Sequence, residues 1–241
     1  MGCKINTPNT QILFKFPTKR AELGGKSTTF CPTFSIHSQN QDAPTISTTT
    51  TNQTQIPKSE ISTLHFKTLR ACKLGISRYP DFEYNAEGGT GTASAETDGS
   101  GDQVSVSFDV GTLYIPPLTT ETTKFLGLPL PPFLKIDILP EFFHGNISKE
   151  SGKVELEFKA KFIFSVGSIY KAPPLLVKTV LTSEESEGSI RRGKGERLDK
   201  EGKCRLVGVA TVDPIDDFLL NSFLSLPTEC IAILNAIISF S

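Results

Sequence analysis

At 241 residues and a formal net charge of −1, the chain has room for one globular domain with an extension, or for two small domains. The balanced charge argues against a nucleic-acid partner, and the longest C-terminal apolar run, about 11 residues, falls short of the roughly 20 that a membrane-spanning helix needs. Five cysteines with no close pair form neither a disulfide framework nor a zinc pattern, so no metal or cofactor is expected.

Residues 1–59 contain seventeen Ser or Thr, six bases and only two acids, Glu22 and Asp42, so they carry +4 and leave −5 for the remainder. Such composition suits a cleavable transit peptide and linker, which must stay unfolded to thread a translocon. Arg20 is the only arginine there and no basic amphipathic helix can be drawn, which favours a plastid over a mitochondrion. The expected location is the chloroplast, in the stroma or peripheral to the thylakoid or envelope. Two rivals stand beside this reading: a disordered cytosolic tail, and acylation at Gly2 and Cys3, against which Asn6 occupies the place of the usual Ser or Thr.

One mostly β domain is expected over 60–241. From Glu60 to Ser77, Ile61, Leu64, Leu69, Cys72 and Leu74 give a weak helical pattern. A mobile, Gly-rich acidic loop is read near 86–102, where Gly88, Gly89 and Gly91 lack the Gly-Lys-Ser/Thr ending of a phosphate-binding loop. Val104 to Val110 and Leu134 to Ile138 then alternate apolar and polar residues. The clearest alternation runs from Val154 to Val166, and a long alternation of this kind marks an antiparallel sheet with one wet and one dry face. Further strands are expected at Leu175 to Thr182, Gly188 to Leu198 and Lys203 to Val212, with Gly202 supplying a positive φ in the turn before the last. Asp213-Pro214 reads as a helix start, and Cys230 to Ile238 reads as a helix or, on its isoleucines, a final strand.

The expected fold is α+β and β-dominant: an antiparallel sheet or partly closed β-barrel of about six strands, with a C-terminal helix packed on it. Its dry face, Val104, Phe108, Val154, Leu156, Phe158, Phe162 and Phe164, must be covered by core or by an apolar ligand, at about 1.5 to 3 kcal/mol per side chain. Two uncharged segments, 112–118 and 125–133, carry Ile115, Leu126, Leu128, Leu130 and Phe133, suited to covering the core or to meeting a membrane or partner. Basic residues between Arg191 and Arg205 are interleaved with acids and read as a solvated hairpin.

For catalysis, His65 and His144 are the only histidines after the leader, and a nucleophile would have to be Cys72, Cys204 or Cys230. The reading that follows is a non-enzymatic plastid protein that binds a lipid, isoprenoid or pigment, or a membrane surface. The alternatives are a scaffold docking on a thylakoid or envelope complex through its Pro-rich loop, and a cysteine-dependent enzyme.

Overall fold

The alternation of Val154 to Val166 becomes a strand with those bounds, and its neighbours build a ring. The computed structural model describes residues 61–76, 79–99 and 101–241; the expected transit peptide and linker, 1–59, lie outside them. In chain order the strands are β1 (Ile61–Thr68), β2 (Cys72–Ile76), β3 (Phe82–Tyr84), β4 (Thr90–Thr97) and β5 (Gln103–Phe108). Next come β6 (Thr123–Phe125), β7 (Leu128–Pro129), β8 (Leu134–Ser148), β9 (Val154–Val166) and β10 (Tyr170–Lys171). Then follow β11 (Leu175–Thr182), β12 (Glu185–Glu187), β13 (Arg192–Lys194), β14 (Lys203–Val212), the helix α1 (Phe218–Leu224) and β15 (Thr228–Phe240).

Thirteen strands form one antiparallel sheet. Eight of them, in the order β1-β4-β5-β8-β9-β11-β14-β15, close into a ring because β15 also pairs with β1. β15 divides its second edge: Ala236–Phe240 pair with β1, and Cys230–Ile233 pair with β2. β3, β6 and β7 extend the wall from β2, and a bridge from Leu118 to Ile136 ties the segment before β6 to β8. Asn235 fastens the division. Its carbonyl accepts from Leu69 N–H at 2.8 Å, and its amide donates to the carbonyls of Arg70 and Ala71 at 3.2 and 2.9 Å.

The fold is therefore β-dominant with one short helix among the described residues, and six strands undercounts it. The helical pattern at 60–77 is two strands, β1 and β2, because buried Leu64 and Phe66 alternate with exposed His65 and Lys67. The segment 86–102, read as a loop, holds β4. Its inward residues are Gly91, Ala93 and Ala95, which are small because a Cβ on Gly91 would already meet Leu113 at 2.8 Å. Between 188 and 198 only Arg192–Lys194 is strand. The helix begins at Phe218 under an Asp217 cap, whose carboxylate accepts from Leu220 N–H at 2.7 Å, and not at Pro214.

The expected helix at 230–238 is the strand β15. Both of its faces are covered. Ala236 and Ile238 face the ring interior, and Ile231 on the other face lies under the β12–β13 hairpin, where a Cβ on Gly193 would meet Ile231 at 2.8 Å and Val207 at 2.7 Å. A strand apolar on both sides shows no period of two, so its sequence cannot be told from a buried helix.

Glu229 clasps that hairpin to the ring. Its carboxylate accepts from the backbone N–H groups of Ser189, Ile190 and Arg191 at 2.6, 2.8 and 2.9 Å. The Arg191 guanidinium continues to the carbonyls of Ile76 and Tyr79 and to Asp81. Two further bases of this stretch are partnered, Arg197 by Glu184 and Arg205 by Glu196.

The three backbone N–H groups hold the Glu229 carboxyl below its usual pKa. A lowered folded pKa means that its stabilising share is complete above the ordinary carboxylate range and fades as pH falls through the lowered value. Glu229→Gln is expected to lower the thermal midpoint at pH 7, with the gap from the parent narrowing between about pH 5 and pH 2. Melting curves across that range check this, and a gap that is constant with pH would contradict it.

Candidate functional site, an apolar hollow in the ring

Inward side chains divide the ring interior into two halves. In one, Leu64, Val104, Ile147, Val154, Leu156 and Leu206 are wholly buried and fill the space. Phe66, Phe108, Phe143 and Phe158 lie across its top, with ring centroids 4.4 to 5.7 Å apart in stacked and edge-on pairs. Such offsets suit the aromatic quadrupole. Beyond this phenylalanine floor a cavity of about 580 Å³ opens.

The hollow exists because β14 and β15 turn small residues inward along it. Gly208, Ala210 and Ala232 line it where, nearer the other end, Leu206 and Ile238 fill the interior. Phe162 and Phe164 of β9, with Leu175 and Val177 of β11, form the adjoining wall. Among the described residues that line the cavity, none is Asp, Glu, Lys, Arg or His. Four of its five described hydroxyls are turned to the backbone, Thr228 being the other: Thr68 donates to Ala86, Tyr84 to Pro116, Thr179 to Val209 at 2.7 Å, and Tyr79 to Phe223 at 2.6 Å. Burial pushes the Tyr84 hydroxyl well above its usual pKa.

Of the dry-face residues read from the sequence, Phe158, Phe162 and Phe164 line the hollow. Val104, Val154 and Leu156 belong to the filled half, and Phe108 lies in the floor against Phe66 and Phe143. Of the loop residues, Ile115, Leu126, Leu128 and Leu130 line it, whereas Phe133 stands 77% exposed beside it, one residue before the lining Leu134. Sequence reasoning missed Phe66, Phe143, Val177 and the small residues of β14 and β15. The alternation of Leu175, Val177, Thr179 and Leu181 was a readable signal; inward alanines and glycines give none.

The mouth lies between the β6–β7 hairpin and α1. Tyr79 spans them, with its ring 6.2 Å from Phe125 and 5.5 Å from Phe223. Leu220 and Leu224 anchor the helix against Phe164, Leu175 and Val212. The hairpin turn is Leu126-Gly127, with φ of 52° and 78°, a pair of positive angles that Asn-Gly would adopt with less strain. Phe133 also has a positive φ, 71°. Bulky residues in that region cost about 1 to 2 kcal/mol each, yet here they hold Leu126 and Leu128, each 70% exposed, and Phe133 at the rim.

The three described cysteines are poor nucleophiles. Burial pushes Cys230 up to about 11, with the adjacent Glu229 adding to it, and Cys204 up to about 12, while Cys72 is also raised. A thiol with such a pKa is protonated at neutral pH. His65 and His144 are exposed on outward strand positions and do not line the hollow. Among the described residues no cluster of metal-ligating side chains forms, and no helix is long and apolar enough to cross a membrane.

The two halves differ in what a truncation removes. Leu156→Ala in the filled half is expected to cost about 2 to 5 kcal/mol, as for a new cavity in a packed core. Phe162→Ala beside the existing hollow is expected to cost less than about half the 3 to 5 kcal/mol usual for Phe→Ala. Denaturant unfolding of both variants measures the contrast, and equal losses would contradict a hollow at Phe162. Comparison with known protein families, characterised proteins and solved structures returns no match.

Proposed function

We propose that this protein binds an apolar small molecule, of the lipid, isoprenoid or pigment class, inside the ring, without catalysing a reaction on it. The cavity carries this reading. About 580 Å³ walled by apolar side chains, with no ionised group in its described lining, is the kind of concave apolar space that holds small molecules. Water entering through the mouth meets few hydrogen-bonding partners there, and an apolar occupant that displaces it takes apolar surface out of water. The acid-poor, Ser/Thr-rich leader supports a plastid as the place where such molecules are met.

Organic extraction of the purified full chain, followed by mass spectrometry, is expected to release one class of apolar compound at about one molecule per chain. Val177→Trp, which fills the hollow from β11, is expected to weaken binding of an apolar dye such as Nile red at least tenfold while the protein stays folded. No extractable compound, together with dye binding indifferent to Val177→Trp, would overturn the reading.

A second reading rests on the rim, where strained backbone keeps Leu126 and Phe133 exposed beside Leu128. Such a rim suits contact with a lipid surface. Flotation with phosphatidylcholine vesicles is expected to carry the protein upward, and the double variant Leu126→Asp, Leu128→Asp is expected to remain at the bottom. Equal flotation of both proteins, or none of either, removes this reading and leaves the cavity unaffected.

A further inference from the structure

We propose that the hollow takes a single-headed hydrocarbon chain tail first, with its uncharged end on the phenylalanine floor and its polar end at the Leu126–Leu128 rim. This rests on the binding reading above and adds ligand class and polarity to it.

Three observations on the cavity carry the assignment. The first is size. A space of about 580 Å³ lies within the roughly 300–1,000 Å³ of sites that take one small molecule. It has room for one long acyl chain or one diterpenoid chain.

The second is the chemistry of the walls. The described lining holds no ionised side chain, and Thr68, Tyr84 and Thr179 already spend their hydroxyl hydrogens on backbone carbonyls. Thr228, paired with Val212 at the α1 end, is the one described lining hydroxyl without such a bond, so a headgroup drawn deeper would lose its hydrogen bonds to water and find too few donors to replace them. The walls therefore hold only the hydrocarbon part.

The third is the inequality of the two ends. Behind Phe66, Phe143 and Phe158 the interior is filled by wholly buried residues such as Leu64, Ile147 and Leu156, so nothing polar can pass that way. At the opposite end Leu126 and Leu128 line the cavity and are 70% exposed, as is Phe223 in part, so the hollow meets solvent there. A head can stay hydrated only at the rim. Chain length is then read from floor to rim, and head identity is read weakly.

The chain contains no tryptophan, so a single introduced indole reports its own surroundings. Leu128→Trp places one at the rim and Phe158→Trp one at the floor, each in the full chain. Stearate brominated at carbons 17 and 18 is expected to quench the floor indole more strongly, and stearate brominated at carbon 2 the rim indole. The opposite pattern, or equal quenching of both positions by both probes, overturns the assignment.

The unaltered protein gives a second measure that no folding defect can obscure. Stearate, geranylgeraniol and octadecanedioate compete with Nile red at pH 8, the first two distinguishing an acyl from a prenyl ligand. The diacid is expected to bind at least about 100-fold more weakly than stearate, because one of its carboxylates must be buried without a partner. Equal affinity of diacid and monoacid overturns the inference. So does failure of both single-headed chains to compete where extraction has shown another apolar compound bound, an outcome that spares the binding reading. Failure of every probe with an empty extract removes both.

Discussion

Asn235 sits where β15 stops pairing with β2 and starts pairing with β1, and the rest of the architecture depends on how it holds that point. A strand has two edges, and β15 must serve β14 on one and two successive strands on the other. The turn between β1 and β2, with Ala71 at a φ of 60°, leaves backbone carbonyls that no strand partner satisfies. The Asn235 amide takes two of them, and its own backbone meets Leu69 and the Cys72 sulfur. These bonds tie the exposed turn to the point where the strand changes partners. With them in place, one half of the wall closes through β1 while the other widens through β2, β3 and β6.

That division leads to the hollow. The half closed through β1 is narrow enough for side chains from all eight strands to meet, and it is filled. The half built through β2 is wider, and the residues that β14 and β15 turn into it are small. The interior therefore stops at the phenylalanine floor and continues as space. A bulge in β8 keeps the long strand useful to both halves. The register shifts between Pro140 and Phe142, so Ile136 and Ile138 face inward before it and Phe143 and Ile147 after it. The extra residue, Glu141, points outward and is held by Lys159 and Lys161. An inserted residue exchanges the two faces of a strand, and without it β8 would bring either the floor or the cavity wall to the wrong side.

The rim and the clasp show where the chain accepts local strain and where it avoids it. Leu126 and Phe133 occupy backbone conformations that favour glycine or asparagine, and the positions bring bulky apolar side chains to solvent around the mouth. At other places glycine serves: Gly202 has a φ of 79° in the turn before β14, and Gly193 lets the outer hairpin approach Val207 and Ile231. Of the described non-glycine residues at positive φ, the large apolar ones, Leu126 and Phe133, both stand beside the uncharged cavity, whereas Ala71 and Ser225 are small, which is consistent with selection on what that end meets.

The amino-acid pattern by itself determined the half-wet strands. β9 and β11 have the bounds that the sequence implies, because each has one face toward the interior and one mostly toward water; β14 has them too, although the β12–β13 hairpin covers Val207 on its outer face. The uncharged lengths around Leu118 and Leu128 stood out in the sequence, but the pattern did not say that Leu118 and Leu130 would be buried while Leu126, Leu128 and Phe133 stay exposed. Three things were decided only by tertiary structure. β15 looked helical because a hairpin distant in sequence covers its outer face. β4 looked like a loop because its inward residues are glycine and alanine, whose smallness is set by Leu113 and Phe108 across the interior. The hollow itself is a space between strands brought together from the whole domain, so its size depends on which small residues end up opposite which large ones. A chain pattern records the face a residue takes; it carries no record of the volume left on the other side.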